Sequence, residues 1–128
     1  MHAPTSYDYA LIRLVPSVER GECLNVGVVL FCRTRGFLEA RIYLDATRAL
    51  ALNPDLDLAA IQQQLDTIVL LCKGGPEAGL LGTMSQSERF HWLVSPRSTI
   101  IQLSPVHEGL CDDPEASLEH LLKTMVYQ

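Results

Sequence analysis

CLNVGVVLFCRTRGFLEARIYL, residues 23–44, is the stretch whose reading decides the fold. Two runs rich in Val, Leu, Ile and Phe flank Arg33-Thr34-Arg35-Gly36, which is the pattern of a β-hairpin. A three-residue loop, Thr34–Gly36, with Gly36 supplying the left-handed residue, sets Leu30 against Ala40, Val28 against Ile42 and Val26 against Leu44. This register collects one apolar face, whereas a loop of two or four residues would set Val28 against Arg41 and mix the faces. The other face then places Gly27 opposite Tyr43 and Val29 opposite Arg41, with Asn25 and Glu39 close by. Gly27 there would admit a ligand or another backbone at short range.

Before the hairpin, YDYALIRLV (7–15) has strand composition and is closed by Pro16. Ala10, Ile12 and Leu14 form its apolar face, and Tyr7, Tyr9 and Arg13 lie on the other. If this strand joins the sheet, the second face gathers Tyr9, Arg13, Asn25, Glu39, Arg41 and Tyr43. Such a face is either solvated or a polar pocket floored by two arginines.

After the hairpin, Asp45 caps a short helix that Asn53-Pro54 ends. Asp57 caps a longer one with Leu58, Ile61, Leu65, Ile68 and Cys72 on one face, stopped by Gly74-Gly75-Pro76. KGGPEAGLLG (73–82) lacks the Gly-Lys-Ser/Thr ending of a phosphate loop and reads as a linker. SQSERFHWLV (85–94) reads as a short helix, and STIIQL (98–103), bracketed by Pro96 and Pro105, as a strand rejoining the sheet near an edge. Asp112-Asp113-Pro114 opens a last helix with Leu118, Leu121 or Leu122, and Met125 inward. The expected fold is α+β: a two-layer sandwich with an antiparallel sheet of about four strands and helices packed mainly on one face. A single domain, 1–128, with an ordered core over about 7–126, fits the length.

Composition narrows the function. Half the residues are hydrophobic and a fifth charged, as in ordinary globular proteins. Cys23, Cys32, Cys72 and Cys111 show no zinc-ligand spacing and read as buried thiols. No secretory leader and no membrane-spanning run is evident, so a cytoplasmic location is expected. Residues 1–50 carry six basic against five acidic groups, and residues 51–128 four against ten. That balance disfavours general nucleic-acid binding and docking on anionic membranes.

The segment FHWLVSPRSTIIQLSPVHEG (90–109) carries the polar groups most open to chemistry. Ser98, His107 and Asp112 or Asp113 supply the residue types of a hydrolase triad without its Gly-x-Ser-x-Gly elbow. His91, His107, Cys111 and Asp112 lack metal-ligand spacing. No catalytic residue, metal site or cofactor is therefore assigned. Arg97-Ser98-Thr99 offers a guanidinium fork beside two hydroxyls, a combination suited to a phosphate or carboxylate. The candidate anion-binding set is Arg13, Asn25, Arg41, Arg97, Ser98 and His107, with a phosphorylated small molecule as its ligand class. Alternatively, Arg97 pairs with Glu88, Glu108 or Asp112 and pins its loop to the sheet.

YDYALIRLVPSVERGECLNVGVVLF (7–31), followed by ERFHWLVSPRSTIIQLSPVHEGLCDDP (88–114), resembles the bacterial domain of unknown function family 3037 across about Tyr7 to Val126. Tyr9, Arg13, Pro16, Glu22, Asn25, Gly27, Arg89, Arg97, Ser98, Ser104, Pro105, His107 and Gly109 match its pattern, none with an assigned role. The resemblance implies a small stand-alone bacterial protein and names no reaction. It further implies a partner or regulator of a neighbouring HipA-like kinase-type protein in a toxin-antitoxin-like pair. Three functions stay open: a protein-interaction module, which leads; an enzyme or sensor for a phosphorylated small molecule or nucleotide; and a nucleic-acid-associated protein using the Arg33-Thr34-Arg35 hairpin tip.

Overall fold

The computed structural model describes residues 4–17, 19–96 and 99–127. In chain order the strands are β1 (Thr5–Leu14), β2 (Leu24–Cys32), β3 (Phe37–Ile42), β4 (Ile101–Leu103) and β5 (His107–Cys111). The α-helices are α1 (Ala46–Leu52), α2 (Leu58–Lys73), α3 (Gln86–Val94) and α4 (Pro114–Met125). Asp45, Asp57, Ser85 and Asp113 cap them through their side chains, and Ser85 forms a reciprocal capping box with Glu88. The segment expected as a linker holds a 3-10 stretch, Pro76–Thr83.

The α+β class and the antiparallel sheet are as the sequence predicts. Among the described residues the sheet has five strands in the order β3-β2-β1-β4, with β5 also on β1. β4 and β5 share one edge of β1: Ile12 faces Leu103, and Tyr9 faces His107. Ser104, Pro105 and Val106 thus stand opposite only Ala10 and Leu11, so the edge carries a one-residue bulge. Pro105 has no N–H to give the ladder, and Ser104 holds the chain to β1 just before it. Its N–H donates to Leu11 O at 2.9 Å, and its Oγ accepts from Leu11 N at 2.8 Å.

The hairpin register differs from expectation. The loop has four residues, Arg33–Gly36, with Val28 opposite Arg41 and Val29 opposite Ala40. Gly36 does take the left-handed conformation, at φ 59°. The expectation assumed one buried face, but β2 is buried on both. Val29 and Phe31 join the core under α1, α2 and α3, while Val28, Leu30 and Cys32 join a second core under α4. Apolar residues at both parities remove the conflict that was to select the register. Helices lie mainly on one face, as expected, and α4 adds a layer on the other.

A second bulge, at Val26, shifts the β1–β2 register between Ile12 and Arg13. It sets Asn25 opposite Arg13 and Gly27 opposite Ile12. At Gly27 another backbone does approach closely: an added Cβ would lie 2.7 Å from Arg41 O and 3.1 Å from both Ile12 Cδ1 and Ile42 Cγ2.

Ser104→Ala would leave the Leu11 N–H without its acceptor inside the sheet. The expected loss is about 1–3 kcal/mol. It would be read as a lower urea midpoint at unchanged slope; an unchanged midpoint would contradict this role for the hydroxyl.

Candidate functional site

The polar face expected from the sequence forms despite the changed register, and α4 lies over it. Arg41 is committed there to carboxylates. Its guanidinium donates to Glu39 at 2.7 Å, Glu119 at 3.2 Å and Glu115 at 3.4 Å, tying β3 to α4. The hydrogen bond to Glu39 is the largest cause of its raised pKa. Arg41 is thus occupied by the protein's own acids rather than offered to a ligand.

Arg13 and Asn25 come together at the other end of α4. Asn25 Nδ2 donates to Met125 O at 3.1 Å, and the two residues line a cavity of about 270 Å³ with Cys23, Leu24, Arg48, Met125 and Val126. The buried Nε of Arg13 has no hydrogen-bond partner among the described residues. His107 is elsewhere: it lies exposed on β5 with its ring centroid 5.3 Å from that of Tyr9, which is in turn 6.0 Å from Tyr7. Burial, with Tyr9 and Cys111 nearby, raises the Tyr7 phenol above its ordinary pKa. Arg97 and Ser98 lie outside the described residues.

The residue types of the other candidate sites are dispersed. Cys111 is buried near Thr5, and the His91 ring nitrogen Nδ1 lies 2.7 Å from Ser87 O on its own helix. The hairpin tip is tied to α3, with Arg33 donating to Ser87 Oγ at 3.1 Å and Gln86 to Gly36 O at 2.9 Å. Three cysteines are buried as expected, but Cys23 is exposed because it precedes β2 at the rim of the Arg13 cavity.

Arg89 was given no structural role in the sequence reading, although a charged residue between inward Phe90 and a Ser/Glu cap is a visible signal. It is 7% exposed and donates to Leu71 O at 2.8 Å, Cys72 O at 2.7 Å and Met84 O at 3.1 Å. One guanidinium therefore satisfies two carbonyls at the end of α2, which a helix C-terminus leaves unpaired by construction, and ties them to the Met84 carbonyl just ahead of α3. Burial pushes the adjacent Cys72 thiol up to about 12, against a smaller lowering by Arg89.

With α2 and α3 locked in this way, a groove of about 410 Å³ opens where they meet the sheet edge. Ile68 and Leu71 of α2, Trp92 and Leu93 of α3, and Ile101 and Leu103 of β4 form its apolar lining, with Gln64, Thr67 and Thr99 adding polar groups. Trp92 is 42% exposed. β4 pairs only with β1 among the described residues, so its outer backbone edge borders the groove.

A family model described as "Protein of unknown function (DUF3037)" matches residues 9–126. The chain belongs to the DUF3037 family. No curated protein and no solved structure matches it. The match takes in the DUF3037 chain from mid-β1 through α4, so the Arg89 lock, the groove and the Arg13 cavity all lie within it. Among its described residues, no helix is long and apolar enough to cross a membrane.

In this DUF3037 protein Arg89→Met is expected to cost about 2–4 kcal/mol by stranding carbonyls that now accept from a charged donor. Arg89→Lys should rescue only part, since an ammonium cannot reproduce the fork; full rescue in chemical denaturation would contradict the assignment. Cys72 carries a pH prediction with a definite sign. Its folded pKa is raised, so the stability gained by burying a neutral thiol is full below about 9 and is lost as pH climbs toward 12. Urea midpoints should fall through that window, and Cys72→Ala should flatten part of the fall.

Proposed function

We propose that this protein is an interaction module that takes an extended segment of a partner protein onto the outer edge of β4, with apolar side chains seated in the groove beside it. The observation that carries this reading is the coincidence of an apolar groove with a strand edge to which no second strand pairs among the described residues, where only Thr99 Oγ1 donates to Ile101 O at 2.6 Å. Strand addition needs both: backbone bonds supply affinity, and a pocket for alternate side chains supplies selection. Ile101 and Leu103 sit two apart and both line the groove, so an added strand would place every second side chain against α2 and α3.

The chemistry of the three outer strands favours β4. β3 carries Glu39 and Arg41 and β5 carries Glu108, and charge on an edge discourages pairing. β4, Ile-Gln-Leu, carries none. The partner segment is accordingly extended, uncharged at its groove-facing positions and apolar at alternate residues. The HipA-like kinase-type neighbour implied by the family resemblance is the first protein to test for it.

Trp92 is the chain's single tryptophan, so its emission reports on the groove directly. Binding of that kinase-type protein, made without tryptophan, should shift the emission to the blue. Thr67 is exposed on α2 and lines the groove, so Thr67→Arg would charge it with a stability change within about 0.5 kcal/mol. Affinity should fall at least about tenfold. Undiminished binding by the folded Thr67→Arg protein, or an emission that does not move on binding, would overturn the proposal.

A further inference from the structure

The groove continues past Trp92, and what lies there adds a charge to the docking reading above, on which this inference rests. Thr67, Leu71 and Trp92 line a second cavity of about 190 Å³ as well as the groove. Where the groove meets β4, this cavity meets Leu81 and Glu77 of the 3-10 stretch Pro76–Thr83, with Leu70 of α2 as a further apolar wall. The stretch is held from both ends. Gly75 N–H donates to Gly82 O at 3.0 Å, and Arg89 donates to Leu71 O and Cys72 O before it and to Met84 O after it. Glu77 is the one charged residue among the described lining of the two cavities, and it is exposed.

An exposed carboxylate at the mouth of an apolar cavity selects by charge. Low-dielectric walls screen it less than open water does, so it attracts a cation and repels an acid. A long basic side chain suits both parts of the site, because its methylene stem covers apolar surface while its charged head stays in water. We infer that the partner segment, past the residues paired on β4, carries a Lys or Arg whose stem lies along Leu70 and Leu81 and whose head meets Glu77. A neutral apolar residue would fill the cavity and leave the carboxylate unmatched; an acidic one would be repelled. The chain's net charge of −5 favours encounter with the same class of segment.

Short peptides of alternating Val and Thr, flanked at both ends by Lys, Gln or Glu, test this on the full chain. Emission from Trp92, which borders both cavities, is the readout. At low ionic strength the Lys-flanked peptide should bind about threefold more tightly than the Gln-flanked one, with the Glu-flanked one weakest. The preference should vanish in about 1 M sodium chloride. Glu77→Lys should reverse the order, whereas Asp112→Lys, an equal change of net charge at an exposed position beside α4, should not. If Glu77→Lys does not fold, Glu77→Gln should level the order instead. Equal binding of the three peptides to the wild type would overturn this inference and leave the docking reading standing, as would an order that the Glu77 and Asp112 variants change alike. Failure of all three to bind would overturn docking on β4 itself, and this inference with it.

Discussion

β1 is the constraint on which the rest of this protein depends. Both its edges are paired, to β2 on one side and to β4 and β5 on the other, and both its faces are covered by helices. Its central residues, Ala10 to Ile12, are buried, so the backbone groups there need partners within the sheet. The weak point is the Pro105 break, and the Ser104 hydroxyl closes it. Because that one side chain stands in for a backbone carbonyl, a single edge of β1 can hold two strands in different registers. β4 is thereby positioned beside α2 and α3, and β5 beside the tyrosines of the α4 face.

The two faces of the sheet divide the chemistry. Under α4 the polar groups are arranged by charge: Arg41 meets three glutamates, and Arg13 lines a cavity with no Asp or Glu among its described lining residues. Under α2 and α3 the groove lining is mainly apolar up to the sheet edge, and Arg89 ties α3 to the end of α2, whose Leu71 also lines the groove.

Much of this was legible in the sequence. Caps and stops placed α1, α2, α3 and α4 because an Asp or Ser side chain satisfying an orphan N–H is a local event. The membership of the polar face was legible too, since alternation along β1 and β3 survives a one-residue change of pairing. The β2–β3 register was not, because β2 is buried on both faces and its apolar residues cannot say which way they point. β5 escaped notice because His-Glu-Gly-Leu-Cys has little strand character of its own; pairing with β1 makes it a strand. The six candidate anion residues shared suitable chemistry, yet spacing could not separate Arg41, two of whose three acids lie more than seventy residues away, from Arg13, which makes no ion pair among the described residues.

Amide hydrogen exchange, residue by residue, in the protein alone and after addition of the HipA-like kinase-type protein proposed as its partner, tests the central claim most directly. The edge of β4 is predicted to exchange faster than β1 in the free protein and to become protected on binding, together with the groove-facing turns of α2 and α3, while β3 stays unchanged. Protection confined to β3 or to α4, with β4 exchanging as before, would contradict the assignment of the β4 edge as the docking surface.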